Sequence, residues 1–222
     1  RCPNIGTSIF SLNMNYIEAL QRRYSVKKFN KELIVPQETL LNILQAGKLS
    51  ASSLGLQPYK ILVVESAEMK EKLIPAFYNP SQISTCSHLI VLVAKKDIED
   101  HYINGYFKHI TEVRNHTLES LEPFRKSING FVNSLMEDTK LHWSEKQTYI
   151  VLGNLMFAAS LENVDTCPME GFRSEAIDKI LGLDPEKEKT SVTLAIGYRD
   201  QEDIFQTLKK VRKPDEKLFK FL

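Results

Sequence analysis

The sequence predicts an α+β (mixed α/β) fold in which helices cover a central mixed sheet. Short β-branched runs alternate along the chain with longer segments whose apolar residues have helical spacing. The 222 residues are 42% hydrophobic, which suffices for a sizeable core. No internal repeat or linker divides the chain, so we expect one layered domain over residues 14–222. Residues 1–13 are interpreted as a leader, either added to the chain or left from a longer precursor.

The first half of the chain predicts two helices followed by two strands. Apolar residues at helical spacing begin at Tyr16, and a second such set begins at Leu40. Two short and continuous apolar runs, Tyr59–Val64 and residues 88–93, predict strands that are covered on both faces. A helix over residues 67–77 is expected to separate these strands.

The second half predicts a helical insertion, a central helix and two late strands. Residues 97–142 have helical spacing, which we expect to break at Pro123. A mostly apolar segment over residues 144–163 predicts the buried central helix. Two strands and a helix complete the pattern, over residues 164–168, residues 190–198 and Ser174–Leu181 respectively.

Charge and cysteine content exclude several classes of protein. The 29 Lys+Arg and 28 Asp+Glu leave a formal net charge of +1, so no overall field would hold a polyanion. The three cysteines are far apart and lack a C-x-x-C pair, which argues against a disulfide framework and a thiolate zinc site. The longest uninterrupted apolar stretch, residues 89–94, is too short to span a membrane. We therefore expect a cytoplasmic protein without a nucleic-acid or membrane partner.

The common fingerprints of nucleotide, hydrolase and zinc sites are missing from the chain. It contains no G-x-G-x-x-G after a strand, no G-x-x-x-x-G-K-[ST], no G-x-S-x-G and no H-E-x-x-H. A Rossmann dehydrogenase, a P-loop NTPase and an α/β-hydrolase are disfavoured. The five histidines lack the spacing of metal ligands, so no metal site is predicted.

Two clusters of cations stand out. Residues 22–31, here called the first basic segment, carry five cations and no acid, and residues 209–214, the second basic segment, carry four. Arg23 and Ser25 in the first, with Lys210 and Arg212 in the second, suit the grip of one phosphate, because Arg binds phosphate through two N–H groups. On the residues alone, two solvated surface faces are the favoured explanation of the clusters. Aromatic residues are not interleaved as a base-stacking platform requires.

Two loops could approach a flat ligand. Residues 52–58 are rich in small residues, and residues 168–172 follow a predicted strand. Gly171 would let backbone N–H groups come close to a ligand without a side chain in the way. Each loop is also explained as an ordinary connection.

Taken in order, these pieces resemble the nitroreductase family of FMN-dependent NAD(P)H oxidoreductases, and within it the oxygen-insensitive nitroreductases and NAD(P)H-flavin reductases. The resemblance runs from about residue 14 to residue 214. It rests on residues 23–29, residues 51–53 with 57–59, Asn79 nine residues before His88, Lys146 with Gln147, residues 168–172, residues 195–198 and residues 210–212.

The resemblance implies an obligate homodimer with two FMN sites at its interface, in which a C-terminal tail embraces the partner. It implies that the FMN phosphate is held by Arg23, Ser25, Lys210 and Arg212. It implies that Lys27 and Asn79 bond the ribityl chain and the pyrimidine edge of the ring. The backbone of Glu170 and Gly171 would face flavin N5, and Ser52 and Ser53 would come from the partner chain. The remaining residues of the implied cofactor-binding set are Tyr24, Gln82, Gln147, Pro168 and Met169. No catalytic acid or base is implied, since the flavin itself carries the hydride chemistry.

The sequence departs from the family pattern at two places. A second Lys commonly lies three residues after the Asn, but Gln82 occupies that position here, so a cation is lost near the pyrimidine edge. Leu54 and Gly55 stand where a pair of polar residues is usual on the substrate side of the ring.

The implied activity is a two-electron transfer by a ping-pong hydride mechanism from NADH or NADPH to nitroaromatic, quinone or flavin acceptors. A flavin-binding protein without turnover and a basic-patch nucleic-acid-binding module are the alternatives. The colour of the purified protein separates them, because only a flavoprotein is yellow and only an active one bleaches with NAD(P)H.

Overall fold

The computed structural model describes residues 16–222, and the expected leader lies outside this range. Four strands form one sheet in the order β1-β2-β4-β3. They are β1 (Tyr59–Val64), β2 (His88–Lys95), β3 (Asp165–Met169) and β4 (Glu188–Gly197). These strands confirm the positions that the β-branched runs predicted.

All neighbouring strands of this sheet are antiparallel, with Val91 opposite both Leu62 and Thr193. Within the described range, parallel pairing is limited to one bridge between Ser25 and Thr166. The expected α+β fold is thus confirmed, whereas the mixed character of its sheet is confined to the edge at β3. The first basic segment lies along that edge and provides the parallel partner.

Nine α-helices surround the sheet within the described residues. They are α1 (Tyr16–Arg22), α2 (Gln37–Lys48), α3 (Ala67–Leu73), α4 (Ser81–Thr85), α5 (Asp100–Arg114), α6 (Leu118–Ser134), α7 (Glu137–Leu161), α8 (Ser174–Leu181) and α9 (Asp215–Leu218). Short 3₁₀ turns occupy Ser53–Gly55, Ile74–Ala76 and Ile204–Thr207. No helix of this part of the chain combines the length and the apolar character that crossing a membrane demands.

The sheet separates two apolar cores, because successive strand residues point to opposite faces. Leu89, Val91 and Val93 of β2 belong to the core that includes Leu73 and Ile177 from α3 and α8. Ile90 and Leu92 belong to the other core, which contains the buried residues of α2 and α7. This three-layer arrangement explains why β2 is a continuous apolar run.

The central helix α7 starts earlier than the sequence predicted, at Glu137 instead of residue 144. Two acidic residues in its first turn favour this start, because negative charge is stabilised at a helix N-terminus. Leu155 packs so closely on α2 that a Cβ at Gly47 would lie 2.8 Å from its Cδ2 atom. α2 and α7 therefore cover one face of the sheet as a closely packed pair.

The helical insertion breaks at a different residue from the predicted one. Pro123 lies inside α6, and the break between α5 and α6 falls at residues 115–117. Asn115 ends α5 with a φ of 54°, and the Thr117 side chain caps α6 by accepting the Ser120 N–H. Asn tolerates the left-handed region and Thr is a preferred N-cap, which accounts for the position of the break.

Candidate active site

A cavity of about 690 Å³ lies where the two basic segments meet. We call it the basic cavity. The residues that line it come from the end of α1, the first basic segment, α7, β3 and the chain after β4. They are Gln21, Arg22, Arg23, Tyr24, Ser25, Lys27, Met156, Pro168, Arg199, Phe205, Gln206, Leu208, Lys209, Lys210 and Arg212.

Of the seven cations that line the basic cavity, only Arg199 forms an ion pair with a carboxylate of residues 16–222. Arg23, Lys210 and Arg212 form no ion pair with any described carboxylate, and the Arg23 Nε atom is buried without a hydrogen-bond partner. Burial and then the charge of Arg212 lower the pKa of Arg23, while burial, Arg23 and Arg212 lower the pKa of Lys210. An anion placed among these groups would relieve their mutual repulsion.

Backbone pairing brings the first basic segment to the sheet. The Val26 N–H donates to the Thr166 carbonyl at 3.2 Å, and the Asn30 N–H donates to the Tyr198 carbonyl at 2.8 Å. The Asp200 N–H donates to the Lys28 carbonyl at 3.0 Å. The segment is therefore held between β3 and the chain that follows β4.

Arg199 is a cavity residue that the sequence analysis did not single out. Its guanidinium lies 4.7 Å from the centre of the Tyr24 ring, and its Nε donates to Asp165 Oδ2 at 3.0 Å. The hydrogen bond to Asp165 raises the pKa of Arg199. Because this cation already has a carboxylate partner, it fixes the Tyr24 ring, and the unpaired charge of the cavity belongs to its other cations, among them Arg23, Lys210 and Arg212.

Lys27, Asn79 and Gln82 lie in one region, as the sequence analysis expected. Ser81 donates its hydroxyl proton to the Lys27 carbonyl at 2.8 Å, and its N–H donates to Asn79 Oδ1 at 3.2 Å. Gln82 is only 3% exposed, with Nε2 at 4.0 Å from Cys167 Sγ and Oε1 without a hydrogen-bond partner. Lys27 Nζ lies 4.0 Å from the same sulfur. Gln82 thus lies behind Lys27 and does not line the basic cavity.

The turn after β3 presents free backbone donors. The Gly171 carbonyl accepts the Tyr78 N–H at 2.9 Å, and the Glu170 carbonyl accepts the Phe172 N–H at 2.9 Å. The Gly171 N–H donates to no carbonyl in the described part of the chain. Tyr149 of α7 donates its hydroxyl to Glu170 Oε1 at 2.6 Å, and burial together with this bond raises the pKa of Tyr149 to about 12. The carboxylate is thereby fixed beside the turn.

Ser52, Ser53 and Gln147 form a second group that does not line the basic cavity of the same chain. Gln147 Oε1 accepts the Ser53 N–H at 2.8 Å, and its Nε2 donates to the Trp143 carbonyl at 2.9 Å. Ser52 Oγ accepts the Gln57 N–H at 3.0 Å. Gln147 therefore supports the loop of residues 52–57, here called the small-residue loop.

The small-residue loop is strained and clamped by the insertion. Leu54 and Gln57 have φ values of 58° and 46°, in the left-handed region that costs most for residues other than glycine. Tyr106 of α5 donates its hydroxyl to the Leu54 carbonyl at 3.2 Å, and Tyr102 donates to the Gln57 carbonyl at 2.7 Å. A Cβ at Gly55 would lie 2.5 Å from the Tyr106 hydroxyl. The loop and the insertion consequently form one packed unit.

The chain is similar to known oxidoreductases over nearly its whole length. A sequence model described as the nitroreductase family matches residues 20–198. A Staphylococcus haemolyticus protein named as a candidate NAD(P)H nitroreductase is 34% identical, over 96% of this chain and 99% of its own.

Two solved structures share the fold. A Staphylococcus epidermidis protein, named as a candidate NAD(P)H:FMN oxidoreductase, matches with a TM-score of 0.83 at 25% identity, over 94% of this chain and 96% of its own. A candidate nitroreductase from Exiguobacterium sibiricum, solved in complex with FMN, has a TM-score of 0.83 at 21% identity, over 94% of this chain and 98% of its own.

Proposed function

Because the chain belongs to the nitroreductase family, we propose that it is an FMN-dependent NAD(P)H oxidoreductase whose basic cavity holds the FMN phosphate. The observation that carries the proposal is the trio Arg23, Lys210 and Arg212, which lines one cavity and has no ion-pair partner in the described residues, with Arg23 half-buried and the other two exposed. A dianionic phosphate supplies that charge. Its oxygens also accept hydrogen bonds, which the buried Arg23 Nε requires.

The remaining contacts follow from the positions of neighbouring groups. Ser25 lines the same cavity and completes the phosphate shell with its hydroxyl. Lys27 and Asn79 are assigned to the ribityl chain and the pyrimidine edge, and the Gly171 N–H to the N5 side of the ring. Tyr24 and Pro168 line the basic cavity, and Met169, the next residue of β3, is assigned to the cofactor site beside them. Bound FMN supplies the hydride chemistry.

The chain's own residues bind, orient and stabilise charge. Lys27 places a cation beside the edge on which reduction puts negative charge, and no carboxylate of the described residues lies within ion-pair distance of its Nζ. The Gly171 N–H would orient the ring by donating a hydrogen bond to it. No side chain needs to act as an acid or base in the hydride step.

A second copy of this chain is proposed to complete each site. Tyr149, Ile150, Phe157 and Leu161 of α7 are 36–44% exposed, although α7 is the central helix of the fold. An apolar stripe on a helix is buried when a partner covers it. The homodimer would cover this face, the exposed apolar residues of the C-terminal tail would embrace the partner, and Ser52 and Ser53 would reach the partner's flavin.

The proposed reaction is a ping-pong transfer of two electrons. NADH or NADPH binds, gives hydride and leaves before a nitroaromatic, a quinone or a free flavin takes the same place. The nicotinamide donor is supported by the name of the Staphylococcus haemolyticus relative, and FMN is supported by the name of the Staphylococcus epidermidis protein.

The test begins with purified protein passed through a desalting column. We expect about one FMN per chain, bleaching of its visible absorbance by NADH or NADPH without oxygen, and return of the colour when a nitroaromatic or a quinone is added. Bound flavin that does not bleach would show a flavin-binding protein without turnover. A colourless protein that takes up no added FMN would contradict the proposal.

A further inference from the structure

The two basic segments meet although their charges repel one another. Arg23 belongs to the first segment, Lys210 and Arg212 belong to the second, and the charges of Arg23 and Arg212 each lower the pKa of Lys210. Burial also disfavours the charged forms of Arg23 and Lys210. Lys210 Nζ donates to the Arg23 carbonyl, which joins the two segments at one point, but the repulsion among the cations favours a further group that holds the segments in register before a phosphate arrives.

Asp203 occupies the position from which both segments can be held. It is 2% exposed, and its Oδ2 atom accepts the Lys27 N–H at 2.7 Å and the Lys28 N–H at 3.2 Å. Both donors lie within the first basic segment. A carboxylate that receives N–H groups from consecutive residues fixes the backbone direction at that point.

The other oxygen of Asp203 fixes the chain that leads to the second basic segment. Oδ1 accepts the Phe205 N–H at 3.0 Å and so caps the 3₁₀ turn Ile204–Thr207. The Leu208 N–H then donates to the Phe205 carbonyl at 3.2 Å, which ends the turn immediately before Lys209. One buried carboxylate thus bonds to the middle of the first segment and to the turn that starts the second.

We propose that Asp203 is the positioning residue of the phosphate site. Its carboxylate joins the two basic segments so that Arg23, Lys210 and Arg212 meet the same phosphate, and this role rests on the proposed binding of FMN. Burial alone would raise the pKa of Asp203, but the N–H donors of Lys27, Phe205 and Lys28 outweigh burial and lower it. The group therefore remains an anion and an acceptor at neutral pH.

A positioning role and a purely electrostatic role of Asp203 predict opposite effects on FMN binding when Asp203 loses its charge. The carboxylate is a negative group close to a phosphate site, and its charge reaches Tyr24, whose pKa is raised by burial and then by Asp203. If Asp203 acted through charge alone, Asp203→Asn would tighten FMN binding. If it positions the segments, the same substitution weakens FMN binding, because an amide group replaces one of the acceptor oxygens with a donor.

The experiment compares FMN with riboflavin, which lacks only the phosphate. Apoprotein is titrated with each flavin by fluorescence quenching. The dissociation constant of riboflavin divided by that of FMN measures the phosphate contribution. For Asp203→Asn we expect FMN to bind about tenfold to a hundredfold more weakly and the ratio to fall by a similar factor. Asp200→Asn removes an equal charge from the same turn. Its carboxylate lies 3.8 Å from Lys28 Nζ but accepts no backbone N–H of the first basic segment, so its ratio should stay within about twofold of the wild type.

Two outcomes overturn the role of Asp203 while leaving FMN binding intact. One is an Asp203→Asn protein that binds FMN as well as or better than the wild type. The other is an equal loss for FMN and riboflavin, which indicates general damage to the site. A wild-type protein that binds neither flavin contradicts the proposed function and this inference with it.

A second variant covers the case in which Asp203→Asn does not fold. Asp203→Glu retains the charge but moves the carboxylate by one methylene, so it should also lower the ratio, whereas a wild-type ratio would refute the positioning role. Lys210→Met adds a coupling test. If Asp203 acts through the second segment, the double variant should lose little more of the phosphate contribution than Lys210→Met alone, and additive losses would contradict this.

Discussion

The basic cavity and the small-residue loop differ in which of their groups are satisfied. The cavity collects Arg23, Lys210 and Arg212 without a carboxylate partner in residues 16–222, so a bound anion would relieve their repulsion. The strained backbone of the loop is hydrogen-bonded to Gln147, Tyr102 and Tyr106 of the same chain. The exposed apolar residues of this second region lie on α7. The first region suits a small charged ligand, and the second is proposed to meet a second copy of the chain.

This difference separates two kinds of specificity. Charge and hydrogen bonding in the cavity recognise a phosphate whatever the rest of the ligand is. Shape and apolar contact around the loop recognise one partner surface, because buried apolar area is favourable only where the surfaces fit. A substitution in either region should therefore have a distinct signature.

The largest effect is expected from the partner surface. Ile150→Glu places a charge in the exposed stripe of α7, so the dimer should dissociate and FMN should be lost with it. Val113→Glu adds the same charge to an exposed apolar site on α5 and is the control. Analytical ultracentrifugation with flavin absorbance measures both properties. A monomer that retains one FMN per chain would remove the proposed dependence of the cavity on a partner.

The second-largest effect is expected on FMN affinity, from substitutions in the basic cavity. Arg23→Ala and Arg212→Ala each remove a charge-assisted contact of about 1.5 to 3 kcal/mol, so FMN affinity should fall about tenfold to a hundredfold. Lys28→Ala is the matched control in the first basic segment, because Lys28 is already paired with Glu202 and Asp200. Titration of the apoproteins with FMN checks this prediction. Equal losses in all three variants would mean that general charge, rather than the unpaired trio, holds the cofactor.

A smaller effect sharpens the assignment of Lys27. Lys27→Met should lower the flavin midpoint potential and Gln82→Lys should raise it, because a nearby cation stabilises the reduced and more negative flavin. A contribution of about 1.4 kcal/mol corresponds to about 30 mV for two electrons. Potentiometry on both variants measures the shifts. Potentials that move in the same direction would place these side chains away from the ring.

The smallest expected effect concerns the clamp on the loop. Tyr102→Phe removes the hydroxyl that bonds to the Leu56 and Gln57 carbonyls, so the free energy of unfolding should fall by about 1 kcal/mol. Tyr78→Phe, at an exposed position, should change it by far less. Urea unfolding of the apoproteins compares them. Equal stabilities would show that packing alone holds the loop on the insertion.

The elements best predicted from the sequence are those with a strong local pattern. The strand Tyr59–Val64 and the helix Ser174–Leu181 have the predicted bounds. The strand is a continuous β-branched run, and the helix has apolar residues at helical spacing and ends at Gly182, so both patterns are distinctive. Pro123 was wrong as a helix break, because α6 continues through it: the fixed φ of proline is helical, although the ring removes one hydrogen bond and crowds the carbonyl of residue 119. Asn115 and Thr117 were the informative signals there.

The site was less predictable than the fold because its geometry depends on distant contacts. The contact between the two basic segments was expected from the family resemblance, and their local sequences alone do not predict it. Asp203 and Arg199 were missed, since an acidic and a basic residue in a polar tail carry no signal until the tail is placed beside β3. The left-handed backbone conformation of Leu54 and Gln57 could not be predicted from the sequence either, because neither residue type favours it.

The pairing of Ser25 with β3 has a consequence for the order of events during synthesis. Arg23 leaves the ribosome early, yet the groups that complete its site, Lys210 and Arg212, follow all four strands in the chain. If the proposed phosphate site is right, no shorter nascent chain could retain the cofactor through its phosphate, so cofactor loading would follow translation of β4 and of the second basic segment.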